Sequence, residues 1–301
     1  MLDLHMHSSH SIDGSFAPET LVRLCAEQGV DIMSLSDHNT VSGVPAAMAE
    51  ARRLGLRCLP GIEIDCTLNG TDLHMLGYGI DTGDPAFAEI ERHAMAQERG
   101  ASRQKLEGFR QLGFDISEAE MEAVSADCSQ PGVWTGEMFA EVLLNRPGLE
   151  GHPLLLPYRA GGKRSDNPYV NFYWDFCGSG RPCHTPLRWP DAEAVIRTIH
   201  LSGGRAVLAH PGQNLKGSTA GLGVLRELGL DGVEVFSSYH TPAQAADYLA
   251  AARQLGLAPT CGSDFHGKTK PSVRLGGYTV PADTDSRALV LAGLRQLGLP
   301  A

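Results

Sequence analysis

The sequence predicts an α/β domain whose barrel-sized core is interrupted by one insertion, and three observations carry this. Short apolar runs alternate with helical patterns over residues 2–80 and again over 190–262. Between them lies a long charged stretch, followed by a segment rich in Gly, Pro, Tyr, Trp and Arg. His, Asp and Glu recur where the apolar runs end. Strand–helix alternation of this kind has parallel-sheet character, and a chain of 301 residues is long enough to hold such a core.

The first element is Asp3-Leu4-His5-Met6-His7-Ser8. As a short buried strand it puts Leu2, Leu4 and Met6 on one face and Asp3, His5 and His7 on the other, because strand side chains alternate. Both imidazoles then point the same way, and two neutral nitrogens side by side suit a divalent transition metal. Ala17–Gly29 has helical spacing, with Pro18 in the first turn and Gly29 as the stop. Asp31–Ser36 is a second strand running into Asp37-His38-Asn39-Thr40. Val44–Leu54 is a helix closed by Gly55. Leu56–Ile64 is a third strand with Glu63 at its far end, and Asp72–Ile80 a fourth with His74 inside it. Pro85–Leu112 reads as a long charged helical stretch, and 113–190 as irregular. The alternation resumes with helix Asp191–Ser202 and strand Arg205–Ala209, His210 at its end. Helix Gly221–Leu228, strand Gly232–Phe236 and helix Pro242–Leu255 follow. Strand Leu257–Gly262 then leads into Ser263-Asp264-Phe265-His266. Residues 1–98 and 190–301 therefore form one core, and 99–189 an inserted, mostly helical or irregular lid.

Composition narrows the function. Hydrophobic residues make up 42% and charged residues 20%, as in ordinary globular chains. A net charge of −10 argues against wrapping a long nucleic acid. The N-terminus lacks the pattern of a signal peptide, and no apolar run approaches the roughly 20 residues of a membrane span. The seven Cys are scattered without a C-x-x-C pair, and read as reduced cytoplasmic thiols. The closest pair, Cys177 and Cys183, reads as loop filler.

The candidate site follows from strand ends. In parallel α/β sheets and barrels, chemistry gathers where the C-terminal ends of strands meet. His5, His7, His38, Glu63, His210, Asp264 and His266 all fall at or just past such ends. Asp13 lies in the loop after the first strand, on the same side; His74 alone sits mid-strand. Ligation by His, Asp and Glu without Cys points to Mn, Zn or Fe. Asp37, beside His38, reads as a supporting residue or strand cap.

Asp3-Leu4-His5-Met6-His7-Ser8, Ser36-Asp37-His38-Asn39-Thr40, Gly61-Ile62-Glu63, Leu208-Ala209-His210-Pro211 and Gly262-Ser263-Asp264-Phe265-His266 resemble the successive motifs of the polymerase-and-histidinol-phosphatase (PHP) family. The resemblance covers the core on both sides of the insertion. It implies a distorted (β/α)7 barrel and a trinuclear centre, here with Mn2+, hydrolysing phosphate esters. By the family's pattern, one metal takes His5, His7, Glu63 and Asp264. A second shares Glu63 and adds His74 and His210; a third takes Asp13, His38 and His266. Some members carry His where this chain has Asp13, and a carboxylate there makes the site less positive. Three divalent ions bring about +6, and three carboxylates with one hydroxide leave about +2 in the pocket, which attracts phosphate to an acidic chain.

His240 follows another core strand and is the candidate proton donor to the leaving alkoxide. The insertion holds Arg146, Tyr158, Arg159, Lys163, Arg164, Asn167 and Arg181 amid Gly and Pro. Arg159, Lys163 and Arg164 are candidates to hold a second phosphate. Trp134, Tyr169, Tyr173 and Trp174 read as the insertion's own small core rather than a base platform. The inserted arrangement is similar to PHP phosphoesterases of small phosphorylated sugars and nucleotides. One class opens phosphoribosyl 1,2-cyclic phosphate and then releases the phosphate; another removes the 3′-phosphate of nucleoside 3′,5′-bisphosphates. The second class carries an Arg-[Pro/Thr]-His step where this chain reads Ser129-Gln130-Pro131-Gly132, so the cyclic sugar phosphate is favoured. Histidinol phosphate hydrolysis is a third option. A non-catalytic scaffold is disfavoured because every expected ligand position is competent. An amide hydrolase is disfavoured because no Lys is expected near these strand ends.

Overall fold

The structure, a computed structural model, describes residues 1–126 and 130–301. Seven strands lie side by side in chain order: β1 (Leu2–Asp3), β2 (Ile32–Leu35), β3 (Arg57–Leu68), β4 (Thr71–Tyr78), β5 (Arg205–Leu208), β6 (Gly232–Ser237) and β7 (Ala258–Gly262). The chain stays extended beyond β1. Leu4 N–H donates to Cys261 O and His7 N–H to Phe265 O, while Met6 bridges Phe265 in parallel. The two sheet edges therefore meet, and the sheet nearly closes into a barrel. Its interior is packed with Leu, Ile, Val and Phe side chains that are essentially inaccessible.

The expected parallel character holds for β1–β2–β3 and for β5–β6–β7, and fails at β4, which is antiparallel to both β3 and β5. The cause is local. β3 and β4 are joined by Asn69-Gly70, both with positive φ (50° and 77°), the two-residue turn that matches the twist of a hairpin. A parallel return needs a crossover of roughly a dozen residues.

Helices α1 (Pro18–Glu27) and α2 (Val44–Leu54) pack against one another beside β1–β3, and the stops at Gly29 and Gly55 have the positive φ expected of helix ends. α3 (Pro85–Gln111) is capped by Asp84, whose side chain accepts the Ala86 N–H. It passes residue 99 without a break. The stretch read as irregular contains α4 (Glu118–Val124), α5 (Gly136–Asn145) and α6 (Pro168–Phe176). Their starts carry ordinary signals: a Ser117–Glu120 capping box, a Thr135 cap and Pro168 in the first turn. The insertion has its own apolar cluster from Leu106 to Cys183, centred on Phe109, Phe139, Phe172 and Phe176. Trp134 is buried in it and Tyr169 and Tyr173 pack against it, whereas Trp174 is 41% exposed. The six described cysteines are free thiols, Cys177 and Cys183 included.

Beyond the insertion, α7 (Ala192–Leu201), the short α8 (Pro211–Asn214), α9 (Ala220–Glu227) and α10 (Pro242–Leu255) alternate with β5–β7. α11 (Ser286–Gln296) then packs on β7. Among the described residues, no helix is long and apolar enough to cross a membrane.

The contact between the first and last strands leaves no room at Gly262, where a Cβ would collide with His5 Cβ and Glu234 Oε1. Gly262→Ala should lower stability by about 3 kcal/mol. Gly100, exposed in the middle of α3 with open space at its Cβ position, behaves oppositely. Gly100→Ala should raise stability by about 0.5–1 kcal/mol. Urea unfolding of the two variants beside wild type checks both signs.

Candidate metal centre

Glu63 stands in the middle of β3 rather than at its far end, because β3 runs on to Leu68. Its carboxylate is fully buried and uses both oxygens. Oε1 lies 2.9 Å from His74 Nδ1 and 3.1 Å from His210 Nε2. Oε2 lies 3.0 Å from His5 Nε2, 3.2 Å from His7 Nε2 and 3.3 Å from His38 Nδ1. The hairpin is what brings His74 here. It sets Asp65 opposite His74, one pleat beyond Glu63 on the same face of β3.

The imidazoles are oriented by their other nitrogens. His5 Nδ1 is held by Glu234 Oε1 at 3.0 Å, His210 Nδ1 by Asn214 Oδ1 at 2.7 Å, and His266 Nδ1 by the Asp264 carbonyl at 2.8 Å. Each then presents Nε2 toward the centre, the arrangement of a metal-ligating His with a supporting acceptor. The backbone is bent to serve the same end: Asn39, His210 and Asp264 all have positive φ (57°, 21° and 57°), a conformation Asn tolerates and His210 and Asp264 hold at roughly 1–3 kcal/mol each. Asn39 is held by its side chain, which takes the Asp65 N–H and donates to Asp65 Oδ2.

Among the described residues, the nine sequence-derived candidates and Asp65 fall into four overlapping groups whose ligand atoms lie within 4.8 Å of one another. These are His5–His7–Glu63–Asp264, Glu63–His74–His210, His7–Asp13–His38–His266 and His38–Asp65–His74. Six buried atoms in these groups, His5 Nε2, His7 Nε2, His38 Nδ1, His266 Nε2, Glu63 Oε2 and Asp264 Oδ1, make no hydrogen bond. Buried polar atoms without partners are costly, and here they converge. A set of N and O donors of this kind fits borderline divalent cations.

Electrostatics point the same way. Burial disfavours charge on His7, yet the Asp264 and Glu63 carboxylates lift it to about 9; burial likewise opposes His74, which Glu63 and Asp65 raise to about 9. Burial pushes His38 down to about 4 and lowers His266. Burial opposes ionisation of Asp264 too, but Lys270, His266 and His5 hold its carboxyl well below the usual range. The carboxylates are thus ionised and call for positive charge, which protons or metal ions supply in competition.

The surroundings differ from the sequence reading in several places. A Lys does lie at a strand end: Lys270 Nζ donates to Asp264 Oδ2 at 2.6 Å, brought back by the turn at Gly267 (φ 75°). Asp65 and Glu234 add two acidic groups; a Glu inside the apolar run Gly232–Phe236 was the legible sign of the second. Asp37 accepts Ser8 N–H at 2.6 Å and Ser8 Oγ–H at 2.7 Å, and so supports the loop after the first strand. His240, the candidate proton donor, has both nitrogens engaged. Nδ1–H donates to Val235 O at 2.8 Å and Nε2 accepts Gly212 N–H at 3.0 Å. Its proton faces a carbonyl, and the ring anchors the turn carrying His210.

Two of the three candidate phosphate handles, Arg159 and Arg164, are engaged within the insertion. Arg159 donates to the Leu144 and Leu149 carbonyls, both at 2.9 Å. Arg164 makes a two-point pair with Asp175 at 3.0 and 3.1 Å, and Lys163 is exposed. Those two guanidinium groups hold the insertion together. At the Ser129–Gly132 step, Ser129 lies outside the described residues, and Gln130 Nε2 donates to Glu91 at 2.8 Å.

Known proteins align with this geometry. The PHP domain family matches residues 3–171. A phosphoribosyl 1,2-cyclic phosphate 1,2-diphosphodiesterase of Eggerthella lenta is 30% identical over 285 residues, 93% of this chain and 99% of that protein. The 5′-3′ exoribonuclease Rnm of Salmonella typhimurium is 30% identical, covering 91% of this chain and 87% of that protein. A 3′,5′-nucleoside bisphosphate phosphatase of Chromobacterium violaceum is 28% identical, covering 88% and 87%. Among solved structures, a putative metal-dependent phosphoesterase from Bifidobacterium adolescentis superposes with a TM-score of 0.76 at 25% identity, over 97% of this chain and 96% of that one.

Glu63→Gln should leave the circular dichroism spectrum unchanged while lowering the number of divalent ions per chain found by plasma mass spectrometry. Glu234→Gln, one bond farther out, should weaken Mn2+ affinity by about 10–100-fold.

Proposed function

The chain belongs to the PHP domain family, and on that premise we propose that it hydrolyses a small phosphorylated ribose with metal ions held by His5, His7, Asp13, His38, Glu63, His74, His210, Asp264 and His266. The proposed substrate is phosphoribosyl 1,2-cyclic phosphate, with both ester bonds cut in turn to leave ribose 5-phosphate and phosphate. The observation that carries this is the match to the diphosphodiesterase along nearly the whole of both chains. Gln130, tied to Glu91 where the bisphosphate phosphatases carry Arg-x-His, supports it.

Divalent ions at these groups, with Mn2+ the first choice and Zn or Fe also compatible, supply Lewis acidity toward phosphoryl oxygens and acidify water near neutral pH. The chain's residues do the rest. Glu63 bridges the His5–His7 and His74–His210 sides with separate oxygens, so it holds the two groups in one register. Glu234 fixes both His5, through Oε1, and the His210 backbone N–H, through Oε2 at 2.7 Å. The insertion is tied over this end of the barrel. Lys268 pairs with Glu141 of α5 at 2.9 Å, and Ser272 N–H donates to Asn167, at the start of α6, at 3.0 Å. A fixed lid of this kind excludes water and selects substrate by shape. Burial pushes Glu137, in the first turn of α5, up to about 7, with the Asp13 carboxylate adding to the effect. Free thiols at all six described cysteines agree with a cytoplasmic enzyme.

The two other relatives define the competing readings, a bisphosphate 3′-phosphatase and a 5′-3′ exoribonuclease. Phosphate release or product formation by Mn-loaded protein should be compared on three substrates at matched concentration: the cyclic ester, adenosine 3′,5′-bisphosphate and a short 5′-phosphorylated RNA. Turnover of the cyclic ester to free phosphate at least 10-fold faster than the others is expected. Faster hydrolysis of the bisphosphate or the RNA would replace the substrate and leave the reaction class. Asp264→Asn and His210→Ala should each remain folded and lose about 100-fold or more of the activity on the best substrate.

A further inference from the structure

The two carboxylates shared by the His5–His7 group are held differently. Glu63 turns Oε1 and Oε2 toward different imidazoles. Asp264 turns only one oxygen inward: Oδ1 lies 3.0 Å from His7 Nε2 and 3.3 Å from His5 Nε2, buried and without a hydrogen bond. Its other oxygen, Oδ2, is taken by Lys270 Nζ at 2.6 Å. A carboxylate is free to offer a cation one oxygen or both, and a charged donor on one oxygen removes that choice.

Lys270 is itself placed with care. It is buried to 8% exposure, an unusual position for an ammonium, and its Nζ stands 5.3 Å from the centre of the Tyr239 ring, which in turn meets His210 edge-on at 5.4 Å. The turn that carries it is tied to the barrel on both sides. Ser15 Oγ–H donates to His266 O at 2.8 Å, Thr269 Oγ1–H to Asp13 O at 3.0 Å, and Lys270 N–H to Gly267 O at 3.2 Å. The side chain reaches Asp264 from a loop that also touches the His266 and Asp13 backbones, so one loop registers two of the ligand groups.

We propose that Lys270 is a positioning residue whose ammonium, by holding Asp264 Oδ2, confines Asp264 to a single inward oxygen at the His5–His7–Glu63 group. This rests on the metal-dependent reading above. The site then carries a fixed positive charge behind Asp264, which leaves Oδ1 as its inward acceptor. Without it Asp264 is free to rotate, and a buried Oδ2 loses its partner.

The test uses the full chain as wild type, Lys270→Met and Lys270→Arg. Mn2+ affinity is read by chelator competition and electron paramagnetic resonance, and hydrolysis of bis(p-nitrophenyl) phosphate as kcat and KM. Lys270→Met should bind Mn2+ about 10–100-fold more weakly with an altered resonance line shape, and lose kcat while KM changes less than about 3-fold. Lys270→Arg should recover most of the affinity. A KM increase of about 10-fold or more at unchanged Mn2+ affinity would overturn the proposal and make Lys270 a contact to the substrate. Unchanged affinity, line shape and kinetics in Lys270→Met would also overturn it. Should Lys270→Met fail to fold, the arginine variant decides: affinity within about 3-fold of wild type upholds the proposal, and a 10-fold loss or more overturns it. Wild-type protein that binds no Mn2+ and keeps its activity in chelator would instead sink the metal-dependent reading.

Discussion

The structure depends on one buried carboxylate. Glu63 has no access to solvent, and the His5, His7, His38, His74 and His210 rings all come within 3.3 Å of it. An ionised group there is tolerable only if positive charge is held against both of its oxygens. That requirement explains why imidazoles from four separate segments converge, and why so many of their nitrogens make no hydrogen bond inside the protein. Divalent cations satisfy it better than protons, because one ion can meet several of these atoms at once.

Bringing the rings together is a problem of chain direction. A uniformly parallel barrel would carry every ligand to the same rim of the sheet. The Asn69-Gly70 hairpin sends β4 back instead, so His74 and Asp65 face one another from neighbouring strands, beside Glu63. The cost is local and small, since both turn residues tolerate positive φ. The costlier distortions are at His210 and Asp264, where the strand ends turn sharply to aim their side chains. Glu234, holding His5 and the His210 backbone together from β6, braces that bend.

The insertion is a second small body of aromatic packing rather than a loose loop. Its cations are largely committed to its own integrity: Arg164 to Asp175, Arg159 to carbonyls near the end of α5, and the buried Lys105 to Glu98 at 3.1 Å. Two of its links to the barrel are made by Lys268 and Ser272, in the loop that follows His266, and Val133 adds an apolar one beside Ile12. Residues 264–272 thus touch both the candidate metal centre, through Asp264 and His266, and the insertion, through Lys268 and Ser272.

The sequence by itself determined the strand–helix alternation and the identities of the candidate ligands. Those follow from local rules: apolar runs, helix stops such as Gly29 and Gly55, and the alternation that puts His5 and His7 on one side. The His210 and Asp264 positions were legible because strand ends in such folds face one rim. Tertiary structure decided what depends on partners far away in the chain. The direction of β4 hinged on a two-residue turn whose signal was outweighed by the surrounding alternation. Lys270 reaches Asp264 only after a glycine turn, Asp65 meets His74 only across the hairpin, and the His240 ring is engaged by Gly212, 28 residues away. A side chain's type is written in the sequence. Whether its polar atoms are already satisfied is set by neighbours that only folding brings into reach, and that separates Arg159, Arg164 and His240 from the candidate ligands around Glu63.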